Sequence, residues 1–142
     1  MSDTAAIQLP GIEVGAELPA IAIPVTLQRL VMEAGANRDL SLIHHDSQVA
    51  RATGAPDAFA NTFFLMGMFE RLMREWAGPS ARIRKIGPLK MMIFNAVGDT
   101  VHFRGRVESI EEQQGIVSLD MWADSERGKT VTCKAILDMK GP

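Results

Sequence analysis

Between Phe59 and Phe69 the chain reads FANTFFLMGMF, apolar around nearly every side of a helix, and no other stretch restricts the possible folds as much. A helix without a polar face must be wrapped by other structure. Asp57 stands where an N-cap would, Gly78-Pro79 supplies a stop, and the predicted helix over Ala58–Ala77 would be about 28 Å long. Its second half carries Glu70, Arg71, Arg74 and Glu75, so only the first half demands complete enclosure. The residues beyond Pro79 provide the wrapping. Val101, Phe103, Gly105 and Val107 alternate with His102, Arg104, Arg106 and Glu108. Val117, Leu119, Met121 and Ala123 repeat the pattern, as do Val131, Cys133, Ala135, Leu137 and Met139. Period two is the signature of strands. Breaks at Gln113-Gln114-Gly115 and Glu126-Arg127-Gly128 join them as hairpins. With a further strand over about Ile83–Phe94, interrupted by Gly87-Pro88, the order is helices and then strands, an α+β class in which an antiparallel sheet curls around the long helix.

The N-terminal part adds a Pro- and Gly-rich lead-in over Ile7–Ile23, with a short strand near Ala20–Val25. Thr26 is a candidate cap for a helix over Leu27–Ala36 whose inner face would be Leu27, Leu30, Val31 and Ala34. A short helix is expected over Ser47–Thr53, stopped by Gly54 and Pro56. At 142 residues, residues 1–142 are read as one domain. Hydrophobic residues at 46% against 23% charged exclude a disordered chain. Fifteen basic and seventeen acidic side chains, net -2, provide no field for a nucleic acid or an anionic membrane, so no nucleic-acid and no membrane partner is expected. Met1–Ala6 lacks a basic and apolar leader, no apolar run is long enough to span a bilayer, and a cytoplasmic location is expected. The lone cysteine, Cys133, reads as a small buried hydrophobe.

Chemistry is concentrated in Asn37-Arg38-Asp39-Leu40-Ser41-Leu42-Ile43-His44-His45-Asp46. An aspartate and a histidine five residues apart on irregular backbone can converge on one site, and they suit proton transfer: imidazole is a base near neutral pH, and a carboxyl in apolar surroundings can be raised enough to donate. On spacing alone, a structural cap or a surface loop remains open. The adjacent His44-His45-Asp46 does not suggest a metal, because neighbouring residues seldom converge on one ion and no third ligand stands at suitable spacing.

Here the sequence resembles the MaoC-like, or hydratase-2, family, whose pattern Gly-Asp-x-Asn-Pro-x-His-x-Asp lies between a short helix and the central helix of a hot-dog fold. Asp39, His44 and Asp46 match its Asp, His and second Asp, and Ala50 and Gly54 follow at the family's usual Ala and Gly. Arg38 stands for the Gly, Ser41 for the Asn and Leu42 for the Pro. Asn61-Thr62 stands for a His-Gly at the start of the central helix. The resemblance implies that Asp39 and His44 add one water to a trans-2-enoyl-CoA to give an (R)-3-hydroxyacyl-CoA, His44 as base on the water and Asp39 as acid toward the α-carbon. It further implies that the Thr62 amide helps to hold the enolate oxygen, that Asn61 and Ser41 support the site, and that no cofactor is needed beyond the CoA thioester substrate. The pairing of Arg38-Asp39 and His44-His45-Asp46 with Trp76-Ala77-Gly78-Pro79-Ser80-Ala81 and Ile86-Gly87 is similar to the small, single-hot-dog subunits of heteromeric hydratases in bacterial steroid side-chain breakdown, over about Val14–Met139. That likeness implies a bulky steroid-like acyl group and either a homodimer or a heteromer with a second MaoC-like chain.

Further candidates are weaker. Arg82, Arg84 and Lys85 alternate with Ile83 and Ile86, so two of the cations can face CoA phosphates or solvent. Met66 is placed against the acyl chain. Met68, Met73, Met91, Met92 and Met121 could join it in an adaptable pocket for a large apolar ligand, although core filling accounts for most of them, and Trp76 reads as an anchor of the long helix in the core or a dimer interface. His45 reads as an orienting or solvent-facing residue, and His102 as exposed. A hot-dog acyl-CoA thioesterase and a non-catalytic acyl-CoA-binding subunit are the alternatives to a hydratase.

Overall fold

The computed structural model describes residue 9 and residues 11–140; Met1–Gln8, Pro10 and the last two residues lie outside it, and with them the start of the expected lead-in. Five strands and three α-helices follow in the order β1 (Glu17–Pro24), α1 (Leu27–Asn37), a 3-10 turn (Leu42–His44), α2 (Ser47–Ala52), α3 (Thr62–Ala77), β2 (Arg82–Met91), β3 (Thr100–Glu111), β4 (Ile116–Ser125) and β5 (Gly128–Asp138). The strands form one antiparallel sheet in the order β1-β3-β4-β5-β2.

The period-two residues face inward as their alternation requires. Val101, Phe103 and Val107 of β3, Val117, Leu119, Met121 and Ala123 of β4, and Val131, Cys133, Ala135 and Leu137 of β5 are all buried. Against them α3 packs Leu65, Met68, Phe69, Leu72, Met73 and Trp76. Phe69 meets Phe103 edge-on at 5.3 Å between ring centres. Gly105 is the exception in the alternation for a steric reason. A Cβ there would come within 3.2 Å of Met121 Cγ and 3.3 Å of a Leu18 methyl.

Three expectations need correction. The long helix starts at Thr62, not Ala58, and its cap is Asn61, not Asp57. Residues 58–60 stay out of the helix, with Phe59 in an isolated bridge to Ala96, because their backbone groups are bonded sideways. Phe59 N–H donates to the Ile43 carbonyl, Ala60 N–H to that of Asn95, and the Ala58 carbonyl accepts from Val97. Asp57 instead accepts from Ala58 N–H and pairs with Arg51. The enclosure of α3 is also incomplete, since Phe63 and Gly67 are exposed and Met66 is half-buried. In α1 the buried stripe is narrower than the sequence suggests. Leu30 and Ala34 are buried, but Leu27 and Val31 remain exposed, because the core reaches only one i,i+4 row of this helix.

Candidate active site

Two helix boundaries deliver the acidic half of the site. Thr26 caps α1, accepting from Arg29 N–H at 3.1 Å, and α1 ends at Arg38 with φ 56° and ψ 31°, in the left-handed region. Asp39 N–H then bonds back to the Ala34 carbonyl at 2.9 Å, which reverses the chain and turns Asp39 toward the molecule. The 3-10 turn carries His44 inward, and Asp46 closes the segment by capping α2, its carboxylate accepting from Gln48 and Val49 N–H.

His44 and Asp39 meet. Nε2 of His44 lies 3.3 Å from Oδ2 of Asp39. His44 is buried with its ring edge-on to Phe59, and its Nδ1 is 2.8 Å from the Phe59 carbonyl oxygen. A carbonyl only accepts, so Nδ1 carries a proton, and a neutral His44 presents an unprotonated Nε2 to Asp39. Asp39 Oδ2 accepts from the Asn61 amide at 2.9 Å, and Oδ1 accepts from Ser41 N–H at 3.2 Å. The Asn61 bond and then the Ser41 bond hold the Asp39 carboxyl below its usual range.

Asn61 is buried and does two things at once. Its Oδ1 caps α3 by accepting from Phe64 N–H at 2.8 Å, while its amide nitrogen holds Asp39. Thr62 is the first residue of α3, where a backbone N–H has no intrahelical acceptor and the helix dipole is positive. Its hydroxyl points to Met91 Sδ at 3.5 Å.

The sequence candidates therefore divide. Asp39, His44, Asn61, Ser41 and Thr62 come together, with Ser41 acting through its backbone while its side chain is exposed. Met66 lies one helical turn beyond Thr62 and is half-buried. Arg82, Arg84 and Lys85 do not join them. They lie toward the far end of β2, about 20–30 Å along the strand from Met91, and β2 slips register between Ile83 and Lys85, which breaks the expected alternation. Arg84 is engaged by Asp138. His45 is half-buried, and so is His102, where the sequence predicts exposure.

Sequence reading missed one group. Glu33 of α1 has an Oε2 that is buried without a hydrogen-bond partner, and an Oε1 that accepts from Asn37. Burial raises its pKa; Asn37, His44 and Asn61 oppose the shift and Asp39 adds to it, which puts Glu33 within electrostatic reach of the pair. A glutamate on an amphipathic helix carries no local signal that distinguishes it from a solvated one.

A single antiparallel sheet packed on α3 defines a hot-dog protein, and a carboxylate and an imidazole converge beside the N-terminus of its central helix. No family model matches the chain. Over 127 residues it is 34% identical to the 3-oxo-4,17-pregnadiene-20-carboxyl-CoA hydratase beta subunit of Mycobacterium tuberculosis, covering 89% of this chain and 96% of that one. The fold matches a chain of the ChsH1-ChsH2 complex from the same organism with a TM-score of 0.85 at 34% identity, over 90% of this chain and 98% of that one. It also matches a MaoC-like dehydratase from Rhodospirillum rubrum with a TM-score of 0.79 at 18% identity, over 96% and 99% of the two chains. This chain belongs to the MaoC-like hydratase family.

Proposed function

We propose that this protein is an (R)-specific enoyl-CoA hydratase and 3-hydroxyacyl-CoA dehydratase, with Asp39 and His44 as its acid and base. The observation that carries the reading is the 3.3 Å approach of His44 Nε2 to Asp39 Oδ2, with Nδ1 committed to the Phe59 carbonyl. That arrangement needs one proton shared between the two groups. In the neutral pair, Asp39 holds it and Nε2 is free. His44 Nε2 takes a proton from water as the oxygen bonds to Cβ of the enoyl thioester, and Asp39 gives its proton to Cα. The pair is left as imidazolium and carboxylate, and passing the proton back across the contact restores it. Dehydration is the reverse. In the free protein the bonds to Asp39 favour its charged form, and Asp39 keeps a quarter of its side-chain surface exposed. An acyl chain covering that surface removes water and shifts the balance toward the neutral pair. The enolate oxygen is assigned to the free N–H of Thr62 at the head of α3.

The acyl group and the partner are read from the relatives. The M. tuberculosis protein is named for a steroid-derived carboxyl-CoA and as a beta subunit, and the structural match comes from a two-component complex. A bulky acyl-CoA and a second MaoC-like chain are therefore proposed here, with the protein in the cytoplasm. Exposed apolar side chains fit such a cover. Leu40 and Leu42 flank Ser41, Phe63 follows Thr62, Met92 follows Met91, and Phe94 packs against Phe59 at 4.6 Å between ring centres. So many exposed apolar groups beside one site mark a surface that something else covers.

The test is loss of the enoyl-thioester absorbance on trans-2-octenoyl-CoA and on a steroid side-chain enoyl-CoA, by the protein alone and co-expressed with a second MaoC-like chain. Wild type should hydrate one of them, and Asp39→Asn and His44→Ala should not. Thiol release without hydration would make it a thioesterase. Turnover by the complex that survives both substitutions would make this chain a binding subunit.

A further inference from the structure

We propose that Glu33 is a positioning residue of this site, holding the Asn61 carboxamide so that its N–H stays on Asp39. The proposal rests on the hydratase reading for its kinetic consequences and on geometry for the rest. A carboxamide has two N–H donors and one oxygen. In Asn61 the oxygen accepts from Phe64 N–H and one N–H goes to Asp39 Oδ2. Asn61 is 3% exposed, so its second N–H has no bulk water to turn to, and a buried donor left unmade is costly. On the other side, Glu33 Oε2 is a buried acceptor without a partner, and its carboxyl is close enough to Asn61 for the amide to favour its charged form. The two unmet needs complement each other.

The bracket of two carboxyls also decides which way the amide faces. Turned over, Asn61 would aim its oxygen at Asp39 and Glu33 together and its nitrogen at the N–H groups of the α3 first turn. Both contacts would be repulsive. With Glu33 present, the orientation that serves Asp39 is the one the site can hold. Glu33 is itself fixed by the Asn37 amide, one turn on in α1. A chain of amides and carboxyls thus runs from the surface of α1 to His44.

Two substitutions separate positioning from packing. Glu33→Leu fills the volume without an acceptor, whereas Glu33→Gln keeps an oxygen that can face Asn61, because the exposed Asn37 can bond to water instead. The expected result is a kcat roughly 10- to 100-fold lower for Glu33→Leu with KM within about twofold, as for other residues that orient a reacting group, and rescue to within about threefold by Glu33→Gln. In an Asn61→Ala background Glu33→Leu should cost nothing further, since the two act on one path. Full additivity, or a Glu33→Leu enzyme indistinguishable from wild type, overturns the proposal. Side-chain amide NMR on the same proteins separates its failure from that of the hydratase reading. The Asn61 amide protons should be slow to exchange in wild type and Glu33→Gln and fast in Glu33→Leu, whether or not the protein turns over an enoyl-CoA. An Asn61 amide unchanged by Glu33→Leu also overturns it.

Discussion

The Phe59 carbonyl oxygen accepts a hydrogen bond from His44 Nδ1 at 2.8 Å, and this contact selects the ring's tautomer. Free imidazole side chains favour the other form, with the proton on Nε2. Here the neutral ring should carry it on Nδ1, leaving Nε2 as the base facing Asp39. Long-range 1H–15N spectra of histidine-labelled protein, taken where the ring is neutral, should show Nδ1 as the protonated nitrogen. A spectrum of the Nε2–H tautomer would remove His44 as the base on water.

The oxyanion role assigned to Thr62 belongs to its backbone, so the side chain should matter little and the N–H a great deal. Proline is tolerated at the first helical position, where it deletes only an N–H that has no intrahelical acceptor. Asn61, at φ -83° and ψ 170°, already has the extended backbone that a residue before proline needs. Thr62→Ala should retain activity within a few-fold. Thr62→Pro should lower kcat by about 10²–10³-fold with an unchanged melting temperature. Equal activity in the two variants would place the oxyanion elsewhere.

These contacts also explain which parts of the site the sequence made visible. Asp39 and His44 stand five residues apart in one polar segment, so spacing and the family pattern reached them together. The start of α3 was misread from periodicity because Asp57 is as good a cap as Asn61 and residues 58–60 are as apolar as the helix itself. Only their cross-links to Ile43, Asn95 and Val97 keep them out of the helix, and those partners lie 15 or more residues away. The family pattern, which starts the central helix at Asn61-Thr62, had the boundary that periodicity lacked. The face of α1 was misread for a related reason: apolar spacing reports what a helix can bury, and among the described residues nothing covers Leu27 and Val31.

Arg38 occupies the position where the family pattern has glycine, and it sits at φ 56°, a conformation that costs a side chain roughly 1–2 kcal/mol. Its side chain is exposed. Glycine would relieve that strain but adds about 0.5–1 kcal/mol of unfolded-chain entropy. Arg38→Gly should therefore stabilise the fold by up to about 1 kcal/mol, read as a higher urea midpoint at constant m-value. A lower midpoint would mean that Arg38 makes a compensating contact.

Glu33 should also carry a stability signature. Burial raises its pKa from 4.5, so the folded state binds the proton more tightly than the unfolded chain. The contribution of Glu33 is most favourable at acid pH, below the unfolded pKa, and is lost as the pH rises through the folded one. Asp39 runs the other way. Its pKa is lowered, so its contribution is present at neutral pH and is lost as the pH falls through the folded value. Glu33→Gln should melt higher than wild type at pH 8, with the difference shrinking toward pH 4. A variant less stable than wild type at pH 8 would show that charged Glu33 is net stabilising.

Cys133 tests how tightly the sheet is closed. It lies on β5 with Met121 opposite on β4 and Leu89 opposite on β2, fully buried, and desolvation pushes its thiol up to about 11. At pH 8 about one thiol in a thousand would be ionised, and a reagent could reach it only when strands separate. Ellman's reagent should leave the native protein unmodified over minutes and titrate one thiol after guanidinium unfolding. Its slow native reaction should follow global stability, accelerating in Phe69→Ala, where removing the ring that meets Phe103 should cost about 3–5 kcal/mol. Rapid labelling of the native wild type would mean that β5 opens locally, and the sheet would then be looser around α3 than its packing implies.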